Sequence, residues 1–369
     1  MTGKELQEKL GWKFPDIAEK HPEQVEEAGR FCEGYKEFLN EGKTERECVK
    51  KAVEMLEQAG YRPFDRSVSY AAGDKVYQVN RGKALIATTF GREPLEKGLR
   101  INGAHIDSPR LDLKPNPLYE KDGLALLKTH YYGGIRKYQW SAVPLAMHGV
   151  VYLEDGTRVE ISLGEKEGDP VFCVTDLLPH LAGEQNGRKL SEGIKGEELN
   201  VVIGSLPYED SKDVKEAVKL KVLALLNQYY GMTEKDFIRA EIEMVPAYRA
   251  VDIGLDRGMV GAYGQDDRVC AYTALQAEMG VTDPVYTTMT ILTDKEEIGS
   301  VGNTGLNSDY VLHYIQTLAE RKGADYKTVL ASSLCLSSDV NAAYDPTFAS
   351  VYESRNSCYA GKGCVLTKY

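Results

Sequence analysis

The chain has 369 residues, 42% hydrophobic and 27% charged, the profile of a soluble globular protein with room for two domains or for one large α/β unit carrying an insertion. A net charge of -11 and the lack of any basic stripe with interleaved aromatics exclude a nucleic-acid footprint, and no apolar run approaches the roughly 20 residues that span a bilayer. The N-terminal residues carry no apolar core of a secretory signal, and the seven cysteines are odd in number, scattered and without a CxxC pair, so a cytoplasmic, reducing setting is expected.

The first 60 residues have helical spacing. "PEQVEEAGRFCEGYKEFLNEG" and "TERECVKKAVEMLEQAGY" predict two helices; Thr44 with Glu47 three residues on makes a capping box for the second, and Gly60 ends it. "DKVYQVNRG", "ALIATTFG" and "GLRINGAHIDSP" alternate or run apolar between turn residues and predict three strands. After "LKPNPLYEKDG" the texture changes: "AMHGVVYLEDGTRVEISLG" predicts a hairpin turning at Asp155 and Gly156, a polar stretch follows, and "DVKEAVKLKVLALLNQYYG" predicts a helix. Residues 118–235 are thereby set apart as a smaller, β-rich insertion in a main domain made of 1–117 and 236–369.

The α/β pattern then resumes, with "DFIRAEIEMVPAYRAVDIG" as strands, "RVCAYTALQAEMG" as a helix, "VYTTMTILT" as a buried strand and "SDYVLHYIQTLAERKG" as a helix. "TVLASSLCLSSD" and the final "GCVLTKY" read as strands. Helices interleaved with apolar strands imply a mixed α/β sheet sandwiched by helices.

Three polar clusters directly follow apolar strands: "AHIDSP" with His105 and Asp107, "TDKEE" with Glu296 and Glu297, and "SSDVN" with Asp339. In open α/β sheets ligands bind at the carboxyl ends of strands, so the three can meet in one cleft. A fourth, "GQDDRVCAY", puts Asp266 and Asp267 at a helix start, where the dipole favours carboxylates. One imidazole among several carboxylates is a mixed N/O ligand set that suits zinc, cobalt or manganese. Asp107, two residues from His105 and on the same strand face, can orient the imidazole. Adjacent side chains of an extended "EE" point opposite ways, so one glutamate can ligate a metal while the other faces an attacking water. Two metals about 3.5 to 4 Å apart need a carboxylate between them, for which Asp266 is placed. No phosphate-binding loop or GxSxG elbow is present, since "YAGKGC" has the wrong spacing. His130 and His148, in strand-like context, are expected to be satisfied structural histidines, and Arg110 with Asp112 and Glu47 with Lys51 to be solvated surface pairs.

"GAHIDSPRLDLKP", "YGQDDRVCAYTALQA", "DKEEIGS" and "SSDVNAAYDP" occur in the order, and with spacings similar to those, of the aspartyl aminopeptidase and aminopeptidase I family of dinuclear zinc exopeptidases, which the chain resembles from about residue 20 onward. The resemblance implies hydrolysis of the N-terminal residue from peptide substrates, with two Zn2+ sites in which Co2+ or Mn2+ can substitute. It implies His105 and Asp339 as ligands of one metal, Asp266 as the bridge, Glu297 as ligand of the other metal, Glu296 as general base and Asp107 as the supporting carboxylate. It implies that 118–235 is a dimerisation domain inserted in a catalytic metallopeptidase domain, and that the chain forms a homo-oligomer, dimers in the family building a dodecamer. "LLPHLA" resembles a stretch that reaches a neighbouring subunit's site, making His180 a candidate helper in trans; an ordinary interface or surface histidine is its other reading.

The family's last motif donates a second histidine to the metal held by Glu297, and the histidines here, at 21, 105, 130, 148, 180 and 313, leave none after Asp339 to do so. The expectation is a truncated form or an incomplete second site, with one metal held more firmly than the other. Two rivals are a related dinuclear amidohydrolase, such as a carboxypeptidase or deacylase, and an impaired homologue that serves as an assembly subunit.

Overall fold

In the computed structural model, which describes residues 1–368, the chain divides into two compact units: residues 1–35 with the segment from Asp339 onward, and Lys36–Ser338. In the first unit the helix Gly3–Leu10 is closed by a capping box between Thr2 and Glu5, and Asp16 caps the short helix Ile17–Lys20. Its C-terminal segment is held to the N-terminal one by the Ile17 N–H donating to the Gly361 carbonyl at 2.8 Å and by the Lys362–Asp16 ion pair at 3.3 Å. Tyr344 packs on Tyr352 and Tyr359 with ring centroids 5.3 and 4.8 Å away. The strand expected in the last residues is not there among the described ones; the backbone turns through positive φ at Gly361 and Gly363, and the apolar run has no ladder to join.

The second unit is built on two sheets. The first is mixed, in the order Arg62–Pro63, Lys75–Asn80, Ala84–Thr89, Thr288–Thr293, Arg100–His105 and Leu334–Ser337, the last three running parallel. All six residues of Ala84–Thr89 are buried, as a strand covered on both faces requires. On one face Val76, Ile86, Ile101, Met289 and Ile291 pack against Tyr314, Ile315 and Leu318 of the helix Tyr310–Lys322 and Val329 of the helix Tyr326–Ser332. On the other lie the helices Glu45–Gln58 and Gln265–Met279, tied by the Tyr77 hydroxyl on Glu57 at 2.6 Å and by Thr89 on Glu278 at 2.8 Å. The mixed sheet between helices is thus the architecture expected of the sequence.

Thr44 and Glu47 form the expected capping box. The segment read as one strand from Thr328 divides instead into the helix Tyr326–Ser332, capped by Asp325, and the short strand Leu334–Ser337; the Asp325 carboxylate accepting the Thr328 N–H at 2.9 Å starts a helix that apolar content alone does not reveal.

The second sheet is antiparallel throughout, in the order Arg158–Leu163, Leu145–Tyr152, Ala240–Pro246, Arg110–Lys121, Leu124–Tyr132, Val201–Gly204 and Cys173–Val174. Leu111, Leu127, Met147, Val151 and Val201 form its core with Val218, Val222 and Leu226 of the helix Ala217–Tyr230. The expected hairpin at Asp155-Gly156 is present, Gly156 taking φ +87°. This sheet begins at Arg110 and ends at Pro246, so the expected limits of 118 and 235 fall within it.

The pairs read as surface are not. Arg110 is buried and bonded to Asp112 at 2.8 Å, Glu45 at 3.2 Å and Glu243 at 3.2 Å, a charge cluster between the two sheets. Glu47 accepts from His148, and Lys51 pairs with Glu37 and Glu41. His148 is structural, as expected: it is buried, with Nδ1 hydrogen-bonded to Glu47 at 2.8 Å and Nε2 in an ion-pair contact with Glu165 at 3.2 Å. His130 is exposed and stacks on Tyr131 instead. No helix among the described residues is long and apolar enough to cross a membrane.

Candidate metal centre

The three parallel strands of the first sheet end along one edge. Their register sets Thr293 opposite His105 and Ser337 opposite Gly103, so the residues that follow each strand emerge side by side, where α/β sheets bind ligands.

His105 is the last residue of its strand, with only 2% of its side chain exposed. Its Nδ1 lies 3.0 Å from the Asp107 carbonyl oxygen and 3.3 Å from Asp107 Oδ1. Donation from Nδ1 makes Nε2 the nitrogen that a metal can take. Nε2 lies 3.2 Å from Asp266 Oδ1 and 3.7 Å from Glu296 Oε2. Burial lowers the imidazole pKa, but the bond to Asp107 and the charges of Asp107, Asp267 and Glu296 outweigh it and hold it at about 9.

Asp107 stands two residues beyond the last strand residue and is held at the imidazole by contacts from its own carbonyl and carboxylate to Nδ1. It is fully buried and accepts from the Tyr132 hydroxyl at 2.7 Å and from the N–H groups of Glu296 and Glu297, both at 3.2 Å. Burial alone would raise its pKa; the hydrogen bonds from His105 and Tyr132 outweigh that and leave it below the usual carboxylate value.

Glu296 and Glu297 are not extended. Lys295 takes φ +65° and starts a 3-10 turn, Glu296–Ile298, whose two successive N–H groups converge on the Asp107 carboxylate. The turn, more than an opposed pleat, is what sends both side chains toward the imidazole region. Burial, with the Asp266 charge next in weight, pushes Glu297 up to about 7. Glu296 is more open, with 46% of its side chain exposed, as a group that exchanges protons with substrate and water needs to be.

Asp266 and Asp267 enter the helix Gln265–Met279 with non-helical backbone and are joined by a cis peptide bond. Their surroundings differ: Asp266 is 54% exposed and its carbonyl accepts from the Ser108 hydroxyl at 2.7 Å, whereas Asp267 is fully buried. Gly264, at φ +80°, allows the approach, since a Cβ there would run into the Arg268 guanidinium. Arg268 in turn donates to the Ile106 carbonyl at 3.2 Å and pins the helix entry to the His105 strand.

His105, Asp107, Asp266, Glu296 and Glu297 thus come together from three distant segments. Asp339 stands in the other unit, exposed, directly after the strand Leu334–Ser337, with its Oδ1 accepting from the Val340 N–H at 2.7 Å. His180 lies in an exposed turn beside exposed Leu177, Leu178 and Leu181, and the bonds of the site do not include it. The sequence reading placed Asp267 in the cluster with Asp266 and gave it no role of its own; its full burial is what the structure adds. The sequence reading missed Tyr132, whose strand carries no sign of contact with residue 107. Among the described residues of this unit, four flanking carboxylates and one oriented imidazole make a donor set that a zinc-type cation fits, because the cation offsets the like-charge repulsion.

A family model described as aminopeptidase I zinc metalloprotease (M18) matches residues 38–369. A probable M18 family aminopeptidase 1 of Clostridium acetobutylicum is 48% identical over 355 residues, covering 94% of this chain and 76% of the relative. The crystal structure of an M18 family aminopeptidase from Thermotoga maritima superposes with a TM-score of 0.90 at 43% identity, covering 95% of this chain and 78% of that one. A dodecamer structure from S. cerevesiae, at 22% identity and a TM-score of 0.70, covers 91% and 76% and shares the fold.

Proposed function

The chain belongs to the aminopeptidase I (M18) family of zinc metalloproteases, and from that premise we propose that His105, Asp266, Glu297 and Asp339 hold the metal while Glu296 is the general base of N-terminal peptide hydrolysis. The observation that carries the assignment is the imidazole of His105, locked by Asp107 on Nδ1 and facing Asp266 and Glu296 with Nε2. Asp339 is included because "SSDVN" stands in the order of the family's motifs. Zinc, when bound, acidifies water and polarises the scissile carbonyl.

The chain's own groups do the rest. Glu296 takes a proton from the attacking water and delivers it to the leaving amine nitrogen, so that the C–N bond breaks with a neutral amine as product. Asp107 holds the imidazole and the backbone of both glutamates. Asp266, half-exposed beside the imidazole, would be a ligand of the metal when it is bound. An ion held by His105, Asp266 and Asp339 would be bound more firmly than one relying on Glu297, because an imidazole would join its carboxylates.

The antiparallel sheet and its helix act as the dimerisation domain, of which 118–235 is the bulk, and the dimers build a closed homo-oligomer in the cytoplasm. A self-contained core in that sheet, the unlinked cysteines and the dodecamer solved for the yeast relative support this. His180, on its exposed leucine-rich turn, is the residue that reaches a neighbouring subunit.

The experiment is Glu296→Gln. Turnover of aminoacyl substrates should fall about 100- to 10,000-fold, with zinc content unchanged by elemental analysis. Wild-type turnover in that variant would remove Glu296 from the mechanism.

A further inference from the structure

The acids of the site are backed by a strand from the other sheet. Tyr132 ends the strand Leu124–Tyr132, is buried, and donates its hydroxyl to Asp107 Oδ2 at 2.7 Å. The same carboxylate takes the N–H groups of Glu296 and Glu297, and its other contact is the His105 ring. Its four partners therefore link the imidazole, the backbone of the two glutamates and Tyr132 through one carboxylate. Three of those partners come from the first sheet's strand ends; Tyr132 alone comes from the second sheet.

Two further features fix that hydroxyl. The Arg110 guanidinium lies over the Tyr132 ring, 3.8 Å from its centroid, and is itself held by Glu45, Asp112 and Glu243, so the ring has a cation on one face and little freedom to turn. The next residue, Gly133, takes φ +72°, and a Cβ there would lie 2.9 Å from Glu297 Oε2 and 3.2 Å from Glu297 Cβ. The backbone of this strand end is thus a wall against which the Glu297 carboxylate rests, and only glycine leaves it room.

We propose that Tyr132 is a positioning residue for the metal centre: its hydroxyl fixes the Asp107 carboxylate and, through it, His105 and the Glu296-Glu297 turn, so that the second sheet carries part of the metal-binding machinery. The inference rests on the site assignment above. Removing one hydrogen bond from a group that orients a ligand costs roughly 10- to 100-fold in metal affinity. Packing makes no such demand, because phenylalanine keeps the ring and its cation contact.

The test is Tyr132→Phe in the full chain, titrated with zinc alone by calorimetry after chelator treatment, with Co2+ absorption spectra as a second reading and thermal midpoints of the metal-free proteins as control. The expected result is zinc affinity lowered about 10- to 100-fold and a changed Co2+ spectrum, both read well below the metal-free midpoint of either protein. Gly133→Ala, which intrudes on Glu297 and leaves the Asp107 bonds in place, should also weaken zinc binding. Equal zinc affinity and identical Co2+ spectra for wild type and Tyr132→Phe would overturn the positioning role while leaving the site assignment standing. Failure of the wild type to bind zinc would overturn both.

Discussion

His148 offers the sharpest measurement on how the two sheets are held together beside the site. Its ring is buried in the strand Leu145–Tyr152 and bridges Glu47, on the helix that covers the first sheet, to Glu165, which also pairs with Lys43 at 3.0 Å. Burial lowers the imidazole pKa, but the two carboxylates outweigh it and hold it at about 9, against 6.5 for an unperturbed histidine. Because the folded value is the higher one, the stabilisation is complete below pH 6.5 and is lost as the pH rises through 9. A gap of that size corresponds to at most about 3.5 kcal/mol, taking about 1.4 kcal/mol for each pH unit between the two values. His148→Gln cannot titrate, so its stability lacks this term. Urea unfolding of both proteins in the presence of chelator, at closely spaced pH values from 6 to 10, gives the wild-type minus variant difference directly. Groups outside this cluster that titrate in the window, His105 and Glu297 among them, are common to both proteins and cancel, whereas Lys43 shares Glu165 with His148, so both proteins carry Lys43→Met. The difference should shrink by up to about 3.5 kcal/mol across this range. A difference that stays flat would mean that His148 is neutral in the folded state and that the clamp is a hydrogen-bonded, not an ionic, one.

Further predictions follow from the same contacts. Asp107→Asn puts an amide where two backbone N–H groups and a hydroxyl now donate, so zinc affinity should drop about 10- to 100-fold by calorimetry, with a matching loss of turnover. Glu278 is buried under the hydroxyls of Thr89, Thr288 and Tyr61, and burial raises its carboxyl above the ordinary value even against those bonds; the stability that protonation brings is present at low pH and lost as the pH rises above the unfolded value. Glu278→Gln should therefore melt higher than wild type at pH 7, with the gap closing toward pH 4 in scanning calorimetry. Metal titration should resolve one tight and one weaker zinc ion per chain, and two equally tight ions would require a further ligand beside Glu297.

Much of this protein is written locally. The apolar runs "ALIATTFG" and "VYTTMTILT" between turn residues are strand patterns whatever surrounds them, the Thr44 and Glu47 capping box starts its helix from a four-residue span, and the polar residues that follow His105 and Thr293 announce that those strands end in chemistry. That is because side-chain periodicity, capping and turn chemistry are properties of neighbouring residues. What the sequence could not decide is how the acids are supported. The glutamate pair reads as extended until the Asp107 carboxylate, nearly 190 residues earlier in the chain, gathers both of its N–H groups into a turn. Arg110 and Asp112 look like a surface pair until Glu45 and Glu243 close over them, and nothing near Tyr132 tells that its hydroxyl ends on Asp107. Such contacts join segments by burial and hydrogen bonding across long loops, and a linear pattern carries no record of which distant group will desolvate a charge or complete its bonds.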